Sequence, residues 1–97
     1  MRVTSEDLLL NFWMKHPDSK CRLNTWFHEA KQAEWKNFHD LKQRYPSASI
    51  INAERVVLNI GGNKYRLVVA ISFENQLIRV RFVGTHAEYD KIKAETV

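Results

Sequence analysis

Arginine, lysine, histidine and tyrosine are the residues of this chain whose types and spacing can do chemistry. Lys64 and Arg66, then Arg79 and Arg81, occupy alternate positions in two apolar runs, and His86 and Tyr89 follow within a few residues. Such a set suits phosphate. A guanidinium is a planar fork that donates two hydrogen bonds to phosphate oxygens. Imidazole moves protons near neutral pH because it titrates at about 6.5, and a phenol can stack on a splayed base or donate to a phosphate. RNA can be cut with these parts alone, because the attacking 2′-hydroxyl belongs to the substrate. The protein has to hold that hydroxyl in line with the phosphorus, help remove its proton, stabilise the phosphorane and protonate the leaving 5′-oxygen. The plain alternatives are a solvated sheet face for the cations and a surface histidine at a helix start for His86. Other chemistries find less support. His16, His28, His39 and His86 are scattered without metal-ligand spacing, and Gly61-Gly62-Asn63-Lys64 lacks the strand–loop–helix context of a P-loop. No Ser/His/Asp or Cys/His nucleophile arrangement is present, and no cofactor or metal is expected.

The elements that must position these residues lie between Arg55 and Asp90. Three antiparallel strands are expected there, punctuated by turns at Gly61-Gly62-Asn63 and Glu74-Asn75-Gln76. Sorting by parity puts Val56, Leu58, Ile60, Tyr65, Leu67, Val69, Ile71, Phe73, Ile78, Val80 and Phe82 on a core face. The other face takes Arg55, Lys64, Arg66, Arg79 and Arg81, with Val57, Asn59, Val68, Ala70 and Val83 between them. No carboxylate falls on that basic face within residues 64–72 or 77–83. Like charges on neighbouring strands repel, so their gathering points to an anionic, phosphate-rich partner. Thr85-His86-Ala87-Glu88 is a capping-box pattern that starts a short helix with His86 at its first position and Tyr89 one turn on. A helix start favours an anion such as a phosphate.

The N-terminal half is expected to cover the core face. Met1–Val3 fits a short edge strand, and Thr4-Ser5-Glu6-Asp7 carries the groups to cap a helix. Leu8, Leu9, Phe12 and Trp13 form its buried stripe, Pro17 ends it and Asp18 is expected to cap the next. Leu23, Trp26, Phe27, Ala30 and Ala33 make the second stripe. Asn37 opens a third helix that packs Phe38, Leu41 and Tyr45 inward and stops at Pro46, and a short strand is expected around Ile50. At helical spacing the tryptophans read as core rather than as base-stacking platforms.

Ninety-seven residues suit one domain, residues 1–97, with a real core. An apolar fraction of 44% with 27% charged residues is that of an ordinary globular protein. The formal net charge of +4 favours nucleic acid or another polyanion. Cys21 is the single cysteine, which makes the reducing cytoplasm the expected setting. No apolar run approaches membrane-spanning length.

RVVLNIGGNKYRLVVAI and the later RFVGTHAEYDKI resemble the HigB family of toxins from bacterial toxin–antitoxin modules. WFHEAKQAEWKNFHDLKQRYPSASII resembles that family's helical half, so the likeness covers nearly the whole chain. The resemblance implies an α+β, RelE-like fold: N-terminal helices on one face of a twisted antiparallel sheet, a short C-terminal helix, and the second face free for RNA. It implies a metal-independent endoribonuclease that cuts mRNA, characteristically on translating ribosomes. It implies too a HigA-type antitoxin, whose helix-turn-helix provides the only link to operator DNA. Arg66, His86 and Tyr89 are the expected catalytic residues, with Asn63, Lys64, Arg79, Arg81 and Lys91 on the RNA path. Which residue is base and which acid stays open, Lys64 included. A non-catalytic RNA- or ribosome-binding module, or a co-repressor partner of the antitoxin, is the alternative.

Overall fold

A computed structural model of the chain describes residues 1–62 and 64–97. The elements run in the order β1 (Arg2–Thr4), α1 (Asp7–Lys15), a 3-10 turn (Pro17–Ser19), α2 (Lys20–Gln32), α3 (Phe38–Arg44), β2 (Ser49–Ile50), β3 (Arg55–Ile60), β4 (Tyr65–Ser72), β5 (Leu77–Thr85) and α4 (His86–Tyr89). The five strands form one sheet in the order β1-β5-β4-β3-β2, so β4 is central. All pairs are antiparallel except β1–β5, where Arg2–Thr4 run parallel to Leu77–Arg79. The expected α+β architecture is present, with one parallel edge pair added to the antiparallel sheet.

Helices α1 to α3 bury their apolar stripes against one sheet face. Leu9, Phe12, Leu23, Trp26, Ala30 and Leu41 meet Val56, Leu58, Leu67, Val69, Ile78 and Val80, while Trp13, Phe27, Trp35, Phe38 and Tyr45 pack around them half-buried. The caps differ in quality. Asn37 Oδ1 accepts from the Asp40 amide at 2.9 Å, as its position predicts. The hydroxyls before α1 make no cap; Glu6 takes that position without a side-chain bond, and the Leu8 and Leu9 amides reach the Ser5 and Glu6 carbonyls. Nor does Asp18 cap α2. Its carboxylate crosses to Lys64 and to the Tyr65 hydroxyl at 2.8 Å. In the turns, positive φ falls on Gly61 (+65°) and Gly62 (+71°) as expected, and on Gln76 (+53°) rather than on Asn75.

One residue changes the parity of β5. Val68 pairs with Phe82 and Val69 with Val80, which leaves Arg81 as the extra residue of a β-bulge. Two residues then oppose one, and side chains beyond the bulge exchange faces. Phe82, expected on the core face, lies on the second face, and Val83, expected on the basic face, packs toward the helices. Gly84 makes room for that ring: a Cβ there would sit 2.5 Å from the Phe82 Cζ.

The second face is not fully open either. Val57 and Val68 are buried beneath Ala94, with Ile51, Phe82, Tyr89, Ile92 and Val97 packed around them. The segment after α4 folds back over this face, because apolar Val57 and Val68 would otherwise face water beside the arginines. Arg55 Nη1 donates to the carbonyls of Ala94 and Val97, and Arg81 Nε donates to Val97 at 3.1 Å. Part of the expected basic surface therefore anchors the chain's own backbone.

Candidate active site

Arg66 stands on the central strand, on the second face, directly opposite Gly84 of β5. The place of a side chain at Gly84 is taken by the Phe82 ring, which a Cβ there would meet at 2.5 Å. Arg66 Nη1 donates to Asn59 Oδ1 on the adjacent strand β3, and the Tyr89 ring lies 5.7 Å from the guanidinium carbon. Its Nε is buried and has no acceptor among the described residues. The guanidinium is thus held from two sides, by Asn59 and by the Tyr89 ring. Asn59 escaped the sequence reading as a site residue; its position directly across from Arg66 was the available signal.

Tyr89 reaches Arg66 because α4 is fixed where β5 ends. Thr85 Oγ1 accepts from the Glu88 amide at 3.2 Å, and Glu88 Oε1 accepts from the Thr85 amide at 2.9 Å: the predicted capping box in full. The Thr85 amide holds the Glu88 carboxyl below the usual carboxylate range, and the positive neighbours His16 and Lys15 add to the effect. His86 is the first residue of α4, as expected, and its side chain is half-exposed. Its Nδ1 lies 3.3 Å from Asp90 Oδ2, while the Asp90 amide closes the helical turn onto the His86 carbonyl at 3.1 Å. Asp90 was not among the expected site residues; its i+4 spacing from His86 was enough to find it.

The expected RNA-contacting cations are less closely gathered. Lys64 is drawn to the helical side, where it pairs with Asp18 and lies over the Tyr65 ring at 5.5 Å. The hydrogen bond to Asp18 raises the Lys64 pKa, and it holds the Asp18 carboxyl low. For Lys64 that is the direction opposite to the depression a proton role calls for. Arg79 is exposed and pairs with Ala70, four residues along β4 from Arg66. At about 3.3 Å per residue that is roughly 13 Å away. Arg81 lies at the bulge, on the rim of a cleft of about 250 Å³ that it shares with Lys15, His16 and Glu88. Lys91 is exposed just past α4, and Asn63 lies outside the described residues. The structure thus brings Arg66, Tyr89 and Asn59 together, sets His86 and Asp90 on the same short helix as Tyr89, and spreads the remaining cations around them.

Helices packed on one face of a mostly antiparallel five-stranded sheet, with a short C-terminal helix, form an α+β fold of the RelE-like class. Residues 19–92 match the HigB toxin family, described as the RelE-like toxic component of a toxin–antitoxin system. The mRNA interferase toxin HigB of Escherichia coli strain K12 is 30% identical over 92 residues, spanning 93% of this chain and 88% of that protein. The mRNA interferase HigB of Shigella flexneri matches to the same extent. That of Escherichia coli O6:H1 is 26% identical over 80 residues, 80% of this chain and 78% of its own length. The chain belongs to the HigB toxin family.

Proposed function

We propose that this toxin is an mRNA-cleaving endoribonuclease in which Arg66, His86 and Tyr89 act on the scissile phosphate without a metal ion. The 2′-hydroxyl oxygen attacks phosphorus, the bond to the 5′-oxygen breaks, and a 2′,3′-cyclic phosphate remains. The 2′-hydroxyl proton goes to a base, and a second proton goes to the departing 5′-oxygen. The observation that carries this reading is the Arg66 guanidinium, held on the second face by Asn59 and the Tyr89 ring. Such a preorganised donor acts where charge develops on the phosphorane. The Asp90 carboxylate, 3.3 Å from His86 Nδ1, favours a proton on that nitrogen and leaves the Nε2 lone pair to take one. Tyr89 holds the phosphate or the adjacent base. Lys64, Arg79, Arg81 and Lys91 supply longer-range attraction along the strand, Arg81 once its hold on Val97 is exchanged for phosphate.

The reading extends to the cell. Cleavage takes place in the cytoplasm on translating ribosomes, and a HigA-type antitoxin with a helix-turn-helix neutralises the toxin and links it to operator DNA. The family's toxin–antitoxin character supports the partner, and the exposed cations support an anionic substrate. Mapping RNA ends after induction tests the proposal. Growth arrest, EDTA-resistant cleavage and cyclic-phosphate ends are expected from the intact chain. RNA binding without new ends would make it a non-catalytic binder.

A further inference from the structure

Strand β1 pairs only with Leu77, Ile78 and Arg79, so the β5 edge from Val80 onward has no strand against it among the described residues. Helix α1 packs along that edge, and the cleft of about 250 Å³ opens between them, against α4. Arg81, the extra residue of the bulge, is exposed on its rim; bulges re-aim side chains and are common beside active sites. Val97 takes only the Arg81 Nε, and the two terminal nitrogens have no partner among the described residues. From α1 come Lys15, exposed and without an ion pair among the described residues, and His16, whose ring stacks on Phe12 at 4.5 Å. Glu88 supplies the carboxylate on the wall; the Thr85 amide holds one of its oxygens, and Lys15 and His16 lie near enough to help keep it ionised. The cleft also reaches Arg66. Two of its walls, the Phe82 ring and the Glu88 Cβ, would lie 2.5 and 3.2 Å from a Cβ on Gly84, which pairs directly with Arg66. Residues paired in an antiparallel ladder have Cα atoms about 4.5–5.5 Å apart. Tyr89, next in sequence to Glu88, has its ring 5.7 Å from the Arg66 guanidinium carbon.

We infer that this cleft is a phosphate subsite for the RNA strand, in which Lys15 and Arg81 hold the phosphate next to the scissile one. The inference rests on the reading of Arg66 as the residue at the scissile phosphate. Chemistry agrees: the free fork of Arg81 suits two phosphate oxygens, and the Lys15 ammonium adds a point charge from the opposite wall. Phe82 and the His16 ring offer aromatic surface to the attached ribose or base, the usual partner of cations along a single strand. The volume is below the about 300–1,000 Å³ of drug-sized pockets, which suits one phosphate and its sugar. An acidic protein segment would meet the same cations, but the continuity with Arg66 favours the strand already bound there.

The test uses the full chain and a 2′-O-methyl oligoribonucleotide, which lacks the attacking hydroxyl, built on a sequence that the wild type cuts. A neutral methylphosphonate replaces one phosphate at a time around the cut position. Binding is measured against salt for the wild type, Lys15→Ala, Arg66→Ala and Lys42→Ala, the last removing the same charge from the exposed surface of α3. Lys15→Ala should weaken binding about tenfold at low salt, the loss of one charge-assisted contact. It should also lower the logarithmic salt slope by about 0.7, one phosphate, and Lys42→Ala should do neither. The Lys15→Ala loss should vanish when the phosphate next to the cut is the neutral one, as coupled partners do in a double-mutant cycle. A Lys15→Ala chain that binds as the wild type does, that matches Lys42→Ala, or whose loss persists with every methylphosphonate overturns the subsite. Weakened antitoxin binding with unchanged RNA binding also overturns it and assigns the cleft to the antitoxin. Coupling of Arg66 to the scissile phosphate with none for Lys15 overturns the subsite alone. Coupling of Lys15 with none for Arg66 overturns the reading of Arg66, and with it the place of the subsite.

Discussion

In the proposed mechanism Arg66 stabilises the charge on the phosphorane, and its surroundings hold it in place. A strand neighbour holds one nitrogen, and an aromatic ring lies beside the guanidinium. Removing a preorganised donor to a developing charge slows reactions about 10²–10³-fold, which is the loss expected for Arg66→Ala. Losing a positioned acid–base group costs about 10²–10⁴-fold, expected for His86→Ala. Single-turnover cleavage by folded variants checks both, and wild-type rates in His86→Ala and Tyr89→Phe together would displace the site. Asp90 calls for a different measurement, because in the proposed mechanism it acts through His86. Asp90→Asn should lower the rate about 10–100-fold, as outer-shell partners of histidine do, and should alter the pH–rate profile. Asp90→Glu keeps an acceptor and should recover most of the rate; an unchanged profile in Asp90→Asn would reduce the contact to a surface pairing.

At the scale of elements, the 3-10 turn between α1 and α2 is tied to the β3–β4 hairpin through Asp18, and α4 is tied to the end of β5 through its capping box. The Asp18 carboxyl is held below its ordinary range by Lys64 first and by Tyr65 second. A carboxyl with a lowered folded-state pKa contributes stability that is complete above its unfolded value of about 4. That contribution is lost as pH falls through the lowered value. Asp18→Asn should therefore lower the urea midpoint near pH 7, and the gap from wild type should shrink at pH values below about 4. A gap that stays constant down to pH 3 would mean that Asp18 does not link the two elements through its charge.

Over the whole molecule the apolar and basic demands of the sheet are separated by face. Leu67 is fully buried on β4 in the main core, so Leu67→Ala should cost about 2–5 kcal/mol. Arg66→Ala, next to it in sequence and on the other face, should change stability by less than about 1 kcal/mol. Urea unfolding of the two variants decides whether the faces are correctly assigned. The net charge of +4 sets the long-range behaviour. Binding to single-stranded RNA should weaken with salt, with a logarithmic slope of about −0.7 for each phosphate neutralised. Arg79→Ala should reduce the slope by about one such step while leaving the positions of the cuts in place. RNA binding indifferent to salt would remove the electrostatic basis of the proposal.

The sequence by itself determined most elements and their inward faces, because strand parity and helical spacing are local properties: Leu67 with Val69, Leu23 with Trp26, Thr85 with Glu88. The place of Arg66 on the second face, and of His86 and Tyr89 on one short helix, was legible for the same reason. What only the tertiary structure decided were pairings between residues far apart in the chain. The extra residue at Arg81 is invisible without its partner strand, and it exchanged Phe82 with Val83. Asp18 looked like a cap because caps are local, yet Lys64 and Tyr65 hold it from more than forty residues away. The burial of Val57 and Val68 beneath Ala94, and the engagement of Arg55 and Arg81 by Val97, followed from the chain folding back over its own sheet. A side chain's partner is fixed by packing, and packing does not exist until the chain has closed.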